Sequence, residues 1–508
     1  MTETRREFLK FVVSGSVAAG CPMDLSLFAG GNPVAAEVDG DHFQICHQVR
    51  DGKAFPAQPV TKRCDVVIVG GGVSGLSAAY FLRDHDFLLL EKEPHWGGNA
   101  YREEYHGQGF ATGSAFDNKG TVSEQLAQEV GLTLLPIDFP DPSIIKQKWI
   151  PDLWRSGLEQ LPYPASVRGS FEKFRNDFLK LDPEKDAEHL DNVALSEYLK
   201  DYAPEIKQWW DSYGPSNWGA SSDDTSLLIA ADDFKDLNAV DTRLTLPGGN
   251  GALSAKLAAT LQTKHSEQMI ADATIVSVTQ HKSEVHVAYS LANELHTVAA
   301  RYVVMATPKF ITARLVAGLP DVQREAMLAY RYCPYPVINM IFDKPIYNRA
   351  YDTWCPGNAF SDFIVADWVL QKQRGYVQKN NVLTFYTPLP ESQRSTLLQV
   401  RDCEQLAMKV LDDFRKLQPA FHSAEPIEVH FYRRGHPMFL PTPGTFTKVI
   451  PAANQPLDRI YFANTDSIGP ISELPSAVEA ARRGAEWVTK RMAGASSSAA
   501  EAAGGLPR

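Results

Sequence analysis

An α/β protein built on a parallel sheet is predicted by three observations. Val66–Val69 is a short apolar, β-branched run, the pattern of a parallel strand buried on both faces. Gly70, Gly72 and Gly75 follow as G-x-G-x-x-G, and Val73–Leu82 continues at helical spacing, with Gly75, Ala78 and Ala79 small enough for helix and sheet to pack closely. A second apolar run, Phe87–Leu90, ends in Glu91, about 20 residues beyond the first glycine. Strand, glycine turn, helix, strand and acid in this order are the fingerprint of a Rossmann-like dinucleotide site. Each part has a task. The glycines let backbone N–H groups approach a pyrophosphate, the helix N-terminus supplies partial positive charge, and Glu91 accepts from a ribose hydroxyl.

Gly97-Gly98 extend the pattern to E-x5-G-G, which resembles the segment after the second strand in the flavin-containing amine oxidoreductases (monoamine and polyamine oxidases, L-amino-acid oxidases, phytoene desaturase-like enzymes). The resemblance implies FAD as cofactor, with Gly97 and Gly98 running past its pyrophosphate towards the flavin. Asn99 stands where the family usually carries Arg, which removes a charge near the phosphates. Further landmarks follow in family order. Gly107–Gly113 with Ser114-Ala115-Phe116 resembles the strand beneath the flavin, though it reads equally well as a Gly-rich hairpin. Leu246–Leu253 resembles the turn that leads back into the nucleotide domain, through a helix over Leu253–Leu261. Ala273–Thr279, with Val285–Tyr289 as hairpin partner, is the implied adenine-side strand, and Ile275 is its adenine-contacting position. Tyr302–Pro308 resembles the strand that closes the FAD sheet. Near the C-terminus, Tyr461–Asp466 resembles F-A-G-T-[DE]. That likeness implies Asp466 on the ribityl or pyrophosphate part of FAD; Asn464 replaces a glycine and tolerates left-handed backbone. Ala477–Trp487 resembles the closing helix, whose N-terminus at Ala477 would point at the flavin N1–C2 carbonyl and stabilise the reduced anion.

The expected architecture is therefore α/β: a Rossmann-like, glutathione-reductase-type FAD-binding domain (64–139, 244–309, 455–492) with an inserted mixed α+β substrate domain (140–243, 310–454). Residues 37–63 read as an N-terminal arm, and the Ala/Gly/Ser-rich stretch 493–508 as a disordered tail. In the insertion, aromatic residues from Trp149 to Phe178 lie among charges, and Leu195–Leu199 and Ile206–Trp210 read as helix pieces broken by Pro204. Ser216–Asp233 (SNWGASSDDTSLLIAADD) reads as a helix start with an Asp or Thr as N-cap. It also resembles a flavin-proximal segment of bacterial relatives, which makes Trp218 and Asp224 candidate catalytic residues. Tyr432–Gly444 is turn-rich and expected over the flavin, with His436 as a further candidate. The Tyr that monoamine and polyamine oxidases place just before the closing helix falls here on Glu473 or Leu474. Glu473 is then either a cavity acid that attracts a cationic substrate or a first-turn acid on the helix dipole.

Composition narrows the partners. The chain has 508 residues, a net charge of −11, and no basic run beyond its first ten residues, which excludes a nucleic-acid partner. No metal site is expected. Thr4–Lys10 (TRREFLK) resembles a twin-arginine export motif, and Phe11–Gly20 is too short to span a membrane. Residues 1–36 then read as a signal peptide cleaved after Ala36, with lipidation at Cys21 as the competing outcome. Export machinery of the twin-arginine type and a periplasmic or extracytoplasmic location follow. Cys46, Cys64, Cys333, Cys355 and Cys403 contain no C-x-x-C, so no disulfide framework is expected, and Cys46-His47 reads as ordinary loop. The expected activity is oxidation of a small-molecule amine to an imine by hydride transfer to flavin N5, with electrons passed to oxygen or a periplasmic or quinone carrier. The alternatives are desaturation or dehydrogenation of an apolar isoprenoid-like substrate, and a non-catalytic flavoprotein that serves as a binding or assembly partner.

Overall fold

A strand buried on both faces must feed two cores, and Val66–Val69 does so. Val66 and Ile68 pack with Leu76 and Ala79 of the helix Val73–Phe81, and with Val478 and Ala481 of the helix Leu474–Gly504. Val67 and Val69 face the opposite core, with Val287, Val298 and Phe462. The computed structural model describes residues 11–14, 43–137, 141–238, 243–371 and 375–504. In it the strand extends over Val60–Val69 and lies within a seven-stranded sheet. The order is Met269–Ile270, Phe87–Leu90, Val60–Val69, Glu294–Met305, Val285–Leu291, Thr274–Gln280, and Ile460–Phe462 pairs with the end of Glu294–Met305. Met269–Ile270, Phe87–Leu90, Val60–Val69, Glu294–Met305 and Ile460–Phe462 run parallel. The hairpins from Thr274 to Met305 form an antiparallel meander on the sheet. Val303–Met305 is the keystone, bonded to Val67–Val69 on one side and to Ile460–Phe462 on the other.

The second large sheet has eight strands, in the order Phe11–Ser14, Glu428–Tyr432, Val337–Phe342, Asn381–Tyr386, Asp362–Val365, Asp352–Trp354, Ser143–Ile145, Lys148–Ile150. Register divides its faces by chemistry. Ile338, Met340, Phe363, Val365, Leu383 and Phe385 share one face. Phe414 of the helix Val400–Leu417 packs there, 5.4 Å from Phe363 and 5.3 Å from Phe385 between ring centroids. Asn339, Thr384, Tyr386, Asp362, Trp354 and Asp352 share the other face. That face looks onto the hairpin Arg102–Tyr105/Gln108–Ala111 and the segment that follows it. Asn339 Nδ2 donates to the Ala111 carbonyl (3.0 Å) and Tyr386 Oη to the Gly113 carbonyl (2.7 Å). The Gly-rich stretch thus forms a hairpin and also runs beneath the polar face.

Three expectations are corrected. Pro204 does not merely break a helix; it occupies the first turn of Pro204–Trp218, where its missing N–H costs nothing, and that helix ends at Gly219 with φ 79°. The helix Leu227–Asn238 is capped by Ser226, not by an Asp or Thr. Ser226 Oγ accepts from Leu228 N (3.2 Å) and donates to buried Asp191 (3.0 Å), because it is the residue directly before the first helical turn. The closing helix runs on from Leu474 to Gly504, past Ala493, where composition predicts a disordered tail; alanine, the strongest helix former, is frequent there. The twin-arginine motif and both proposed processing sites lie outside the described residues. Among the described residues no helix is long and apolar enough to cross a membrane.

Gly75 marks the tightest contact between helix and first strand: a Cβ there would stand 1.7 Å from the Gly70 carbonyl oxygen. Gly75→Ala should therefore displace the glycine turn, lower the melting temperature by several degrees, and yield protein that retains little flavin, read from a melt and from the flavin-to-protein absorbance ratio.

Candidate active site

The strands of a parallel sheet end together, so the loops that leave them converge. Here they enclose a cavity of about 810 Å³. Gly70, Gly97 and Gly98 take φ of 105°, 123° and 55°, a region that side chains disfavour. Gly97 N donates to the Gly71 carbonyl (2.9 Å), and a Cβ on Gly98 would lie 3.1 Å from Gly72 Cα. The two glycine segments are thus stitched together with bare backbone. A Cβ on Gly72 would meet nothing nearer than 3.9 Å, because it would project into the open slot. Glu91, at the end of Phe87–Leu90, lines the cavity and accepts from the amides of Gly71 (2.5 Å) and Glu93 (2.8 Å). Burial holds its carboxyl above the usual range, while Lys92 and these amides pull it back. Its oxygens keep lone pairs for a ribose hydroxyl.

Gly70, Gly72, Glu91, Gly97, Gly98, Asn99, Ile275, His436, Glu473 and Ala477 all line this one cavity, although they come from five separated parts of the chain. Leu474 and Ala477 bring the N-terminus of the closing helix to its wall. Glu473 lines the cavity and, directly before the closing helix, accepts from Ser476 Oγ (3.2 Å). Arg50, Arg314, Arg394, Arg433 and Arg434 line the same space, against the acids Glu91, Glu93 and Glu473. A positively biased slot with exposed glycine backbone suits a dinucleotide pyrophosphate. Burial, with Arg394, His47 and Arg314 nearby, lowers the His436 imidazole to about 4, so it is neutral at physiological pH; its ring stands 4.9 Å from that of Phe310.

A family model for flavin-containing amine oxidoreductases matches residues 73–489. The chain belongs to that family. A flavin amine oxidoreductase of this kind carries FAD, and the cavity's residues fit it: bare glycine turns, a buried acid at the strand end and a helix N-terminus. The amine oxidoreductase is 24% identical over 509 residues to oxidoreductase PigB of Serratia sp. (strain ATCC 39006), covering 83% of this chain and 74% of the relative. Its fold is similar to that of putrescine oxidase in a structure with putrescine bound (TM-score 0.69, 16% identity, 85% of this chain and 100% of that one). It is also similar to cyclohexylamine oxidase from Brevibacterium oxydans IH-35A (TM-score 0.68, 17% identity, 84% and 99%).

Four sequence expectations for this amine oxidoreductase change. Trp218 is fully buried in the aromatic core, away from the cavity, and donates from Nε1 to Thr225 Oγ1 (2.9 Å). Asp224 lies on a separate groove and pairs with Arg331 (2.6 Å). Gly75 faces the strand rather than the cofactor slot. Asp466 is fully buried and saturated: Lys309 Nζ and Lys309 N each donate to it at 2.8 Å, and Tyr332 Oη at 2.6 Å. It locks the loop after Met305 to the loop after Phe462, and so acts on the slot through Tyr332 and Pro308, which line it. The motif concealed this because the partner, Lys309, lies over 150 residues away along the chain.

The charge lost at Asn99 has a spatial counterpart. Asn99 Nδ2 donates to the Pro437 carbonyl (3.2 Å), docking the 433–437 loop on the glycine pair. Arg434, which lines the cavity, donates from Nη2 to Thr112 Oγ1 (2.9 Å). Cys46 and His47 also differ from expectation: they lie on the helix Gln44–Arg50, which lines the cavity, rather than in a plain loop.

Removing one partner of a buried ion pair strands the other charge. Lys309→Met should destabilise the protein by about 3–5 kcal/mol in urea unfolding. The depressed His436 pKa has a second consequence. Between about pH 6.5 and about 4 the unfolded chain takes up a proton that the folded one refuses, so the apoprotein should lose stability as pH falls through this window. His436→Gln should flatten that part of the stability–pH curve.

Proposed function

We propose that this chain oxidises the C–N bond of a small-molecule amine to an imine and hands the electrons to oxygen or a periplasmic or quinone carrier. The observation that carries the reading is a single positively biased slot running from Glu91 to the N-terminus of the closing helix at Ala477. Bound FAD supplies the hydride-accepting N5. The protein's share is positioning and electrostatics. The Gly70–Ser74 turn and Gly97–Asn99 hold the pyrophosphate, Glu91 the ribose, and Ile275 the adenine. The helix end at Leu474–Ala477 favours negative charge on the flavin ring. Neutral His436 and Phe310, in ring contact at 4.9 Å, line the same cavity. Glu473 draws a cationic amine to the mouth. The names of the similar putrescine and cyclohexylamine oxidases, which denote amine substrates, support this reading. No acid–base residue is required if the amine reacts neutral.

Anaerobic addition of a panel of amines should bleach the flavin band near ~450 nm. Retention of that band with every amine would reject the reading. Glu473→Gln should raise the apparent Kd of cationic amines about tenfold. We further propose, from Thr4–Lys10, export of the folded flavoprotein. Replacement of Arg5 and Arg6 by Lys should hold the holoprotein in the cytoplasm, as read by fractionation.

A further inference from the structure

One wall of the cofactor cavity comes from a part of the chain that the family does not share. The helix Gln44–Arg50 lies ahead of residues 73–489, the stretch common to the flavin-containing amine oxidoreductases, and ahead of the strand Val60–Val69. Phe43, Cys46, His47 and Arg50 all line the cavity. Their spacing of three, four and seven positions places them on one side of the helix. Glu91 and Ile275, the expected ribose and adenine positions, border the same space. The helix packs on the strand Thr274–Gln280, which carries Ile275, and on the helix Lys309–Leu315. Cys46 and Lys92, the residue after Glu91, are close enough to interact electrostatically.

Local sequence does little to hold this helix. It has seven residues, none of them buried, and its N-cap residue Phe43 makes no side-chain capping bond. Helices shorter than about 12–15 residues are marginal without tertiary contact. Val49 supplies some of that contact at the edge of the core that contains Ile275 and Leu315. The cavity-lining face has the chemistry of a base-stacking wall. The Phe43 and His47 rings stand 4.7 Å apart between centroids and form one aromatic surface. Burial and the Arg50 guanidinium lower the His47 imidazole, which keeps it neutral at physiological pH. Arg50 itself donates twice to the neighbouring Asp51 carboxylate (2.7 and 3.1 Å), which offsets its charge. Aromatic rings without net charge suit the face of a purine better than a phosphate.

We propose that the helix Gln44–Arg50 is the outer wall of the adenosine half of the FAD site, and that Phe43 and His47 hold bound FAD there by contact with its adenine. Helix and cofactor then stabilise one another. Whatever affinity the helix adds for FAD, FAD returns as order in the helix. FAD leaves when the helix lifts away, so the dissociation rate of FAD reports the helix's local stability. The proposal concerns the cofactor and not the substrate, so it stands or falls separately from amine oxidation.

The test uses the full-length, FAD-loaded protein. FAD release is timed by the rise of its fluorescence on dilution. Trypsin cleavage after Lys53 is followed by mass spectrometry over a range of added FAD. Phe43→Ala and His47→Ala should each speed release at least about fivefold, and the double variant at least about twentyfold. His47→Phe keeps a ring on the wall and should release FAD at close to the wild-type rate. So should Phe55→Ala, in the same arm beyond the helix. The flavin band near ~450 nm should keep its position in every variant, because the wall meets the adenosine half. Added FAD should slow cleavage after Lys53 in the wild type and have little effect on it in the double variant. Release at the wild-type rate from the double variant would overturn the inference. Cleavage of the wild type that ignores added FAD would overturn it as well. A displaced flavin band in Phe43→Ala or His47→Ala would put the contact on the flavin ring and overturn the adenosine assignment.

Discussion

The structure depends on one geometric constraint: parallel strands end on the same edge. Val60–Val69, Phe87–Leu90, Glu294–Met305 and Ile460–Phe462 run in one direction, so the loops after Val69, Leu90, Met305 and Phe462 emerge side by side. A continuous slot forms at that edge from residues that are hundreds of positions apart. Glycine is required there for approach as well as for ligand contact, because the Gly70–Gly72 turn and the Gly97–Gly98 pair touch backbone to backbone. Gly71 belongs to the same set. A Cβ on it would meet the Trp96 ring at 2.6 Å and Glu91 Cβ at 2.8 Å.

Buried charge is handled in two contrasting ways. Lys309 and Asp466 are fully buried, yet each meets the other at 2.8 Å, and Tyr332 and Ser467 complete their hydrogen bonds. That knot fixes two cofactor loops relative to one another. Asp352 and Asp362 are buried almost as deeply, and Asp352 Oδ1 has no partner. A satisfied pair rigidifies the fold, whereas burial and neighbouring acids raise the Asp352 and Asp362 carboxyls above their usual range.

The nucleotide core was legible because its signals are local. The strand Val66–Val69, the helix after Gly72, the strand Phe87–Leu90 and the acid Glu91 lie within one short stretch, and their spacing alone specifies the turn that joins them. The substrate side was less legible. Trp218 and Asp224 stood in a suggestive motif, but one fills the aromatic core and the other forms a surface ion pair. Arg394 and the helix Gln44–Arg50 carried no motif, and yet they line the slot.

By itself, then, the sequence determined the dinucleotide-binding unit and the order of the landmarks that return to it, since strand alternation, glycine conformation and helix periodicity act over a few residues. Tertiary structure decided which side chains share the cavity, that Asp466 is spent on Lys309, and that Arg434 approaches the loop where Asn99 lacks a charge. It also decided that Asp352 and Asp362 share the sheet face opposite helix Val400–Leu417. The reason is physical: each of these depends on strand register and loop docking between distant segments, and a one-residue slip in register would turn every such side chain to the opposite face.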